Sequence, residues 1–221
     1  MRNQQWRSRI LRTALAAVTL AFVLGVTHAQ AQDGSGAPEK PGGERRAGRT
    51  LRFLGGAAAA LGAHESAHIL ADLSFGATPR LKRVDFHGIP FFAITPDGTL
   101  SRRQHFTIAS AGFWVQHAGN EWILTSAPRL REQRAPLRKG LLAFNVFASA
   151  AYAGAAFART GPMERDTRGM ADNARMDERA IGALLLAPAV LDAVRYYNPD
   201  AAWAAWVSRG VKLGLVLLVL R

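Results

Sequence analysis

Apolar residues along this chain of 221 residues collect in blocks that arginine-rich segments separate. Blocks of helical length separated by basic loops are typical of membrane proteins rather than soluble ones. The pattern therefore predicts an all-α membrane protein, built as a bundle of about four transmembrane helices. The apolar blocks lie at residues 53–75, 105–127, 140–158, 180–197 and 203–220.

The segment 80–104 has a different pattern, in which large apolar residues stand among Gly88, Pro90 and the turn Pro96-Asp97-Gly98. Such spacing predicts two short strands around turns, hence a short β-rich insertion in the helical bundle. The basic residues of this segment and of 128–139 favour the cytoplasmic side for both. The block 105–127 between them would then be re-entrant and buried in protein.

The first 50 residues are predicted to lie outside the helical domain. Residues 1–31 combine four arginines, a short apolar run and the small-x-small sequence Ala29-Gln30-Ala31, as a cleaved export signal does. An uncleaved anchor helix is the alternative, although the apolar run is short for a span. Residues 32–50 are rich in Gly, Pro, Glu and Arg and predict a flexible linker, which leaves 51–221 as the membrane-embedded domain.

The composition limits which partners and which metal ligands the chain can have. The net charge is +12, and removal of the four arginines of residues 1–31 would leave 12 − 4 = +8. The sequence has no basic helix interleaved with aromatic residues, so we expect no nucleic-acid partner. There is no cysteine. Disulfides and thiolate metal sites are excluded, and a transition metal would need His, Asp or Glu ligands.

One motif carries chemistry. The block 53–75 contains the HExxH sequence His64-Glu65-Ser66-Ala67-His68. Residues four apart share a helix face, so His64 and His68 can bind one Zn²⁺. Glu65 beside them can accept a proton from a water on the metal. Ionisable groups inside an apolar membrane segment are costly, which favours a metal site over a chance match.

A catalytic zinc of this kind takes three protein ligands, and the motif does not identify the third. Asp72 lies eight residues beyond His64, about 12 Å along the helix axis. Metal–ligand bonds of about 2 Å cannot bridge that distance, so we expect Asp72 to border the site. Glu121 remains a candidate, because a glutamate is the third ligand of some soluble metalloproteases. Asp166 lies in the hydrophilic stretch 159–179, which a solvated loop or surface helix explains.

Asp192 is the preferred third ligand. It follows the apolar run 183–191, where a carboxylate is costly unless something compensates it, as zinc would. Pro188 would loosen the helix and help to aim the side chain. The alternative partner is Arg195, three residues further on. If Asp192 binds the metal, the helix 180–197 must pack against the helix 53–75.

The order of these motifs resembles that of the site-2 protease family of intramembrane zinc metalloproteases. In that family an HExxH helix precedes a strand-rich segment, an Ala-Gly-Pro motif and a Leu-Asp-Gly-Gly-Arg motif that supplies the third ligand. Here Phe113 replaces the family's proline, and Ala193 and Val194 replace its glycine pair. The matching residues are His64-Glu65-Ser66-Ala67-His68, the segment 84–94, Ala109-Ser110-Ala111-Gly112, and Pro188 with Leu191-Asp192-Ala193-Val194-Arg195.

The resemblance implies a zinc metalloendopeptidase in a bacterial-type inner membrane, crossing the bilayer several times and cleaving a membrane protein or peptide. His64, His68 and Asp192 would hold Zn²⁺, and Glu65 would be the general base. Two alternatives remain open. One is a non-catalytic membrane scaffold or pseudoprotease, and the other is a secreted soluble HExxH metallopeptidase that uses Glu121.

Overall fold

The computed structural model of the protein describes residues 42–86 and 89–220. The predicted signal peptide, residues 1–31, lies outside the described residues. The described part is mostly helical with one small sheet, as the sequence predicts. Its helices are α1 (Gly42–Ser74), α2 (Arg102–Ser126), α3 (Pro136–Ala158), α4 (Asp166–Ala174), α5 (Glu178–Tyr197) and α6 (Ala202–Leu220), and its strands are β1 (Thr78–Phe86) and β2 (Ile89–Asp97).

The β-rich insertion is an antiparallel pair of strands directly after α1. β1 pairs with β2 from Thr78 opposite Asp97 to Phe86 opposite Ile89. Gly76, with a φ of 73°, forms the turn between α1 and β1, a backbone conformation that glycine adopts without strain. The hairpin therefore begins where the HExxH helix ends.

Part of the predicted flexible linker is helical. α1 begins at Gly42, so residues 42–50 continue the helix of the motif. The residues after Pro41 explain the difference, since Glu, Arg and Ala predominate there and are good helix formers. The block 105–127 is likewise one continuous helix, α2, whose first residue Arg102 follows the capping residue Ser101.

Helices α1 and α3 run in the same direction, and this arrangement determines which residues lie near the histidines. Near the start of α1, Phe53 lies against Gly140 of α3. Further along, the ring of His64 stacks on Tyr152, with centroids 6.2 Å apart. Both helices therefore end on the same side of the bundle, and the chain that leaves α3 starts beside the HExxH motif.

Glycines allow the close approach of α1 and α3. A Cβ atom at Gly140 would overlap the carbonyl of Phe53, and one at Gly56 would overlap the carbonyl of Leu137. Backbones in such contact are typical of membrane helices that pack through small residues. The contact also fixes the axial register of the two helices.

Two of the described helices, α3 and α5, are long and apolar enough to cross a membrane. In each, 39% of the apolar window is buried inside the protein. α3 packs against both α1 and α5. The expected packing of α5 directly onto α1 is therefore wrong, since α5 packs mainly against α3 and α6.

The glycine contact gives a first prediction. Gly140→Ala should lower the thermal unfolding temperature of the detergent-solubilised protein, because overpacking typically costs about 1–3 kcal/mol. Gly154→Ala is the matched control on the same helix, where no atom lies within 4 Å of the added Cβ. The control should be neutral or stabilising, since alanine is the better helix former. Equal effects of the two substitutions would show that the contact does not fix the bundle.

Candidate metal centre

The two histidines of the motif are buried on one face of α1. His64 is 3% exposed and His68 is 5% exposed, and their Nε2 atoms lie 3.2 Å apart. The spacing of four residues produces this geometry directly, because it is close to one helical turn. Buried imidazoles with their nitrogens this close need a shared partner, such as a proton or a metal ion.

A backbone carbonyl fixes the ring of His68. Its Nδ1 lies 2.7 Å from the carbonyl oxygen of Ile108 in α2. When Nδ1–H donates to that oxygen, the tautomer is set and the lone pair of Nε2 is free to bind a metal. This is the usual support for a metal-binding histidine.

Packing holds the ring of His64, whose Nδ1 is buried with no hydrogen-bond partner among the described residues. The ring lies against the backbone of α2 at Gly112, where a Cβ atom would overlap three of its atoms. Phe113 meets it edge-on at 5.3 Å, and Tyr152 stacks on it. Gly112, the glycine of the Ala-Gly sequence, therefore leaves the space that this imidazole occupies.

Asp166 completes the group. Its Oδ2 lies 3.3 Å from Nε2 of His64 and 3.5 Å from Nε2 of His68. A tetrahedral zinc site with bonds of about 2.0–2.1 Å places neighbouring ligand atoms about 3.3–3.4 Å apart. The three separations, 3.2, 3.3 and 3.5 Å, match the edges of such a tetrahedron. Among the described residues, these three form the group that can hold a metal ion.

Asp166 reaches the histidines because of where α3 ends. The segment 159–165 leaves α3 on the histidine side, and Asp166 is the first residue of α4. Burial alone would raise the pKa of the Asp166 carboxyl, but the imidazoles of His68 and His64 hold that pKa well below its ordinary value. A metal ion requires the same ionised carboxylate, together with neutral imidazoles.

A cavity of about 420 Å³ adjoins the group. Glu65 lines it together with His68 and Asp166, so the carboxylate of the motif faces the space beside the three donor atoms. The remaining walls come from the hairpin, the end of α3 and the segment after it: Val84, Phe92, Ala93, Ile94, Ala151, Tyr152, Ala155, Thr160, Gly161, Pro162, Glu164 and Arg165.

The prediction that Asp192 is the third ligand is wrong. Its carboxylate is fully buried elsewhere, where it accepts hydrogen bonds from Asn120 at 3.0 Å, Ser208 at 2.9 Å and Lys212 at 2.7 Å. Asn120, which donates to Asp192, lies eight residues after Gly112, which contacts His64. The two contacts are therefore about 12 Å apart along α2. Lys212 rather than zinc compensates the buried charge.

The other two candidates also lie outside the group. Glu121 is paired with Arg195 at 2.6 Å, Arg209 at 2.8 Å and Lys212 at 3.1 Å. Asp72 is buried one turn beyond His68 and is not among the three residues, as its distance from His64 predicts. Nη1 of Arg195 lies 3.6 Å from Oδ1 of Asp192, so the ion pair that the sequence offers as the alternative is also present.

Sequence reasoning considered Asp166 and set it aside, overlooked Tyr152, and named Gly112 only as part of the Ala-Gly match rather than as a contact of His64. A signal for Asp166 was present, since the hydrophilic stretch 159–179 directly follows the apolar block 140–158. No protein-family model, curated protein or solved structure matches this chain.

The geometry predicts the metal content of single variants. Wild-type protein should contain about one zinc per chain, and His64→Ala, His68→Ala and Asp166→Ala should each lose most of it. Mass-spectrometric metal analysis of detergent-purified protein measures this. Asp172→Ala, an exposed position on the same short helix, is the control and should keep the zinc, as should Asp192→Asn. Zinc retained by Asp166→Ala but lost from Asp192→Asn would restore the original assignment.

Proposed function

We propose that the protein is a zinc-dependent, membrane-embedded metallopeptidase. The observation that carries the proposal is the triangle of donor atoms from His64, His68 and Asp166, whose edges fit a tetrahedral zinc site. Three protein ligands leave one position open for chemistry, as in catalytic rather than structural zinc sites. The proposed cofactor is accordingly Zn²⁺.

Glu65 is the proposed general base and acid. Zinc bound at the site would polarise a peptide carbonyl and lower the pKa of a water molecule to about 7. Glu65 faces the same cavity, where its carboxylate can accept the proton of the attacking water and pass it to the leaving nitrogen. The ligand Asp166 remains ionised and unavailable for this proton, so the two acidic groups have separate roles.

The lining of the cavity favours an apolar peptide substrate. Phe92, Ala93 and Ile94 of β2 form one wall, and Ala151 with Ala155 of α3 form another. Apolar walls with a few convergent polar groups are typical of sites that bind mostly apolar ligands. The proposed partner is therefore an apolar segment of a membrane protein or peptide.

The placement in a bilayer rests on the distribution of polar residues in α6. Ser208 and Lys212 are buried at 0% and 9% exposure, whereas Trp206, Leu213 and Leu217 are 72%, 64% and 65% exposed. Polar side chains that point inward and large apolar ones that point outward are expected of a helix surrounded by lipid. α1 shows the same arrangement. We propose that α1, α2, α3, α5 and α6 cross the membrane, α2 running back between the parallel helices α1 and α3, and that the protein resides in a bacterial-type inner membrane.

The resemblance to the site-2 protease family supports this proposal in the HExxH motif and in the strands that follow it. The third ligand differs, since Asp166 precedes the helix whose aspartate the family would use. A pseudoprotease scaffold is the alternative, and it requires that Glu65 has no catalytic role. The secreted soluble metallopeptidase is less favoured, because its third metal ligand would be Glu121. That carboxylate forms ion pairs with three cationic side chains on the other side of α2.

Glu65→Gln tests the chemistry. The variant should keep its zinc and lose turnover of fluorescein-labelled casein and of labelled membrane-segment peptides by at least about 100-fold, because the amide cannot accept a proton. Glu132→Gln, at an exposed position of the 3-10 turn Leu130–Glu132, is the control and should be fully active. Undiminished cleavage by Glu65→Gln would remove its proposed role, and a wild-type protein that cleaves nothing favours the pseudoprotease.

Alkaline carbonate extraction tests the membrane placement. The protein should stay in the membrane pellet, as multi-pass proteins do. Leu213→Arg should reduce the amount recovered there, because a central charged residue costs about 2.5–3.5 kcal/mol on insertion scales. Leu213→Ala at the same position should not. Release of folded protein into the carbonate supernatant would contradict the membrane-embedded fold.

A further inference from the structure

Asp166 begins a helix that is too short to hold its position unaided. α4 has nine residues and a polar composition, and isolated helices of fewer than about 12 residues are marginal in water. A metal ligand must nevertheless be placed within about 0.5 Å of its working position. Something outside α4 must therefore fix Asp166.

The residues on either side of Asp166 are both bound to the same carboxylate. Arg165 donates from Nε and Nη2 to the two oxygens of Glu178, at 2.7 and 2.6 Å. Thr167 donates its hydroxyl to Oε1 of Glu178 at 2.8 Å. Glu178 is the first residue of α5, so this clamp ties both neighbours of the ligand to a long helix.

The clamp is buried and its polar groups are satisfied. Thr167 is inaccessible, and the side chains of Arg165 and Glu178 are 7% and 10% exposed. The remaining Nη1 of Arg165 donates to the carbonyls of Pro162 at 2.9 Å and Gly161 at 3.3 Å. A buried ion pair contributes little to stability over an apolar pair of similar volume, but its bidentate geometry fixes orientation.

We propose that Arg165, Thr167 and Glu178 are positioning residues that hold Asp166 in place as the third metal ligand. The inference rests on the proposed metal site and adds to it the residues that make the site pre-formed. Outer residues that orient a ligand typically change metal affinity by 10–100-fold when they are removed. Helix α5 thus supports the metal centre through Glu178. The sequence instead predicts that Asp192 of the same helix binds the metal directly.

The test separates positioning from stability. In the double variant Arg165→Met/Glu178→Leu, an apolar pair replaces the buried ion pair and should preserve the fold. We expect its zinc dissociation constant, measured by competition with a chromophoric chelator, to rise 10–100-fold. The visible absorption bands of the cobalt-substituted protein should change as well, because the ligand geometry is altered. Arg129→Met/Asp200→Leu, which removes an exposed ion pair, is the control and should bind zinc like the wild type.

Thr167→Val is the gentler variant, since it removes one hydrogen bond and conserves the shape of the side chain. It should weaken zinc binding by a smaller factor and leave the unfolding temperature nearly unchanged, and it decides the matter if the double variant does not fold. Wild-type zinc affinity and cobalt spectra in a folded variant would overturn the positioning role. A wild-type protein that binds no zinc would instead overturn the proposed function on which it rests.

Discussion

The close contact of α1 with α2 and α3 is the constraint on which the rest of the structure depends. Gly140 and Gly56 allow the backbones of α1 and α3 to touch, and Gly112 gives the ring of His64 a place against α2. Because α1 and α3 are parallel, this contact also brings the end of α3 beside the histidines. The approach of Asp166 is a consequence of that register.

Two of the buried ionic centres in the described part of the chain, those of Asp166 and Asp192, are compensated in different ways. At one, two imidazoles and the Asp166 carboxylate surround a space of the right size for an ion. At the other, Lys212 neutralises Asp192, and Asn120 and Ser208 satisfy the remaining lone pairs. The first centre brings together three metal-ligating side chains beside a cavity of about 420 Å³, whereas at the second Lys212 already supplies the cation. This difference supports the proposal that the chemistry lies at the first centre, while the second joins α2, α5 and α6.

The sequence predicts the periodic features of this protein well. The apolar blocks give five of the helices, the glycines and prolines give the hairpin, and the spacing of His64 and His68 gives the shared helix face. The choice of third ligand could not be predicted, because it depends on which helix ends meet. A buried carboxylate such as Asp192 has the same local sequence whether a lysine or a metal compensates it. Lys212 lies in the apolar block 203–220, and only the fold shows that its ammonium reaches Asp192.

The proposed function depends on one zinc ion held by His64, His68 and Asp166. X-ray absorption at the zinc K-edge of purified protein measures this coordination. We expect the scattering of two imidazoles and oxygen ligands at about 2.0–2.1 Å, with the four-coordinate pattern lost in Asp166→Ala. A spectrum with fewer than two imidazoles, or one that Asp166→Ala leaves unchanged, would contradict it.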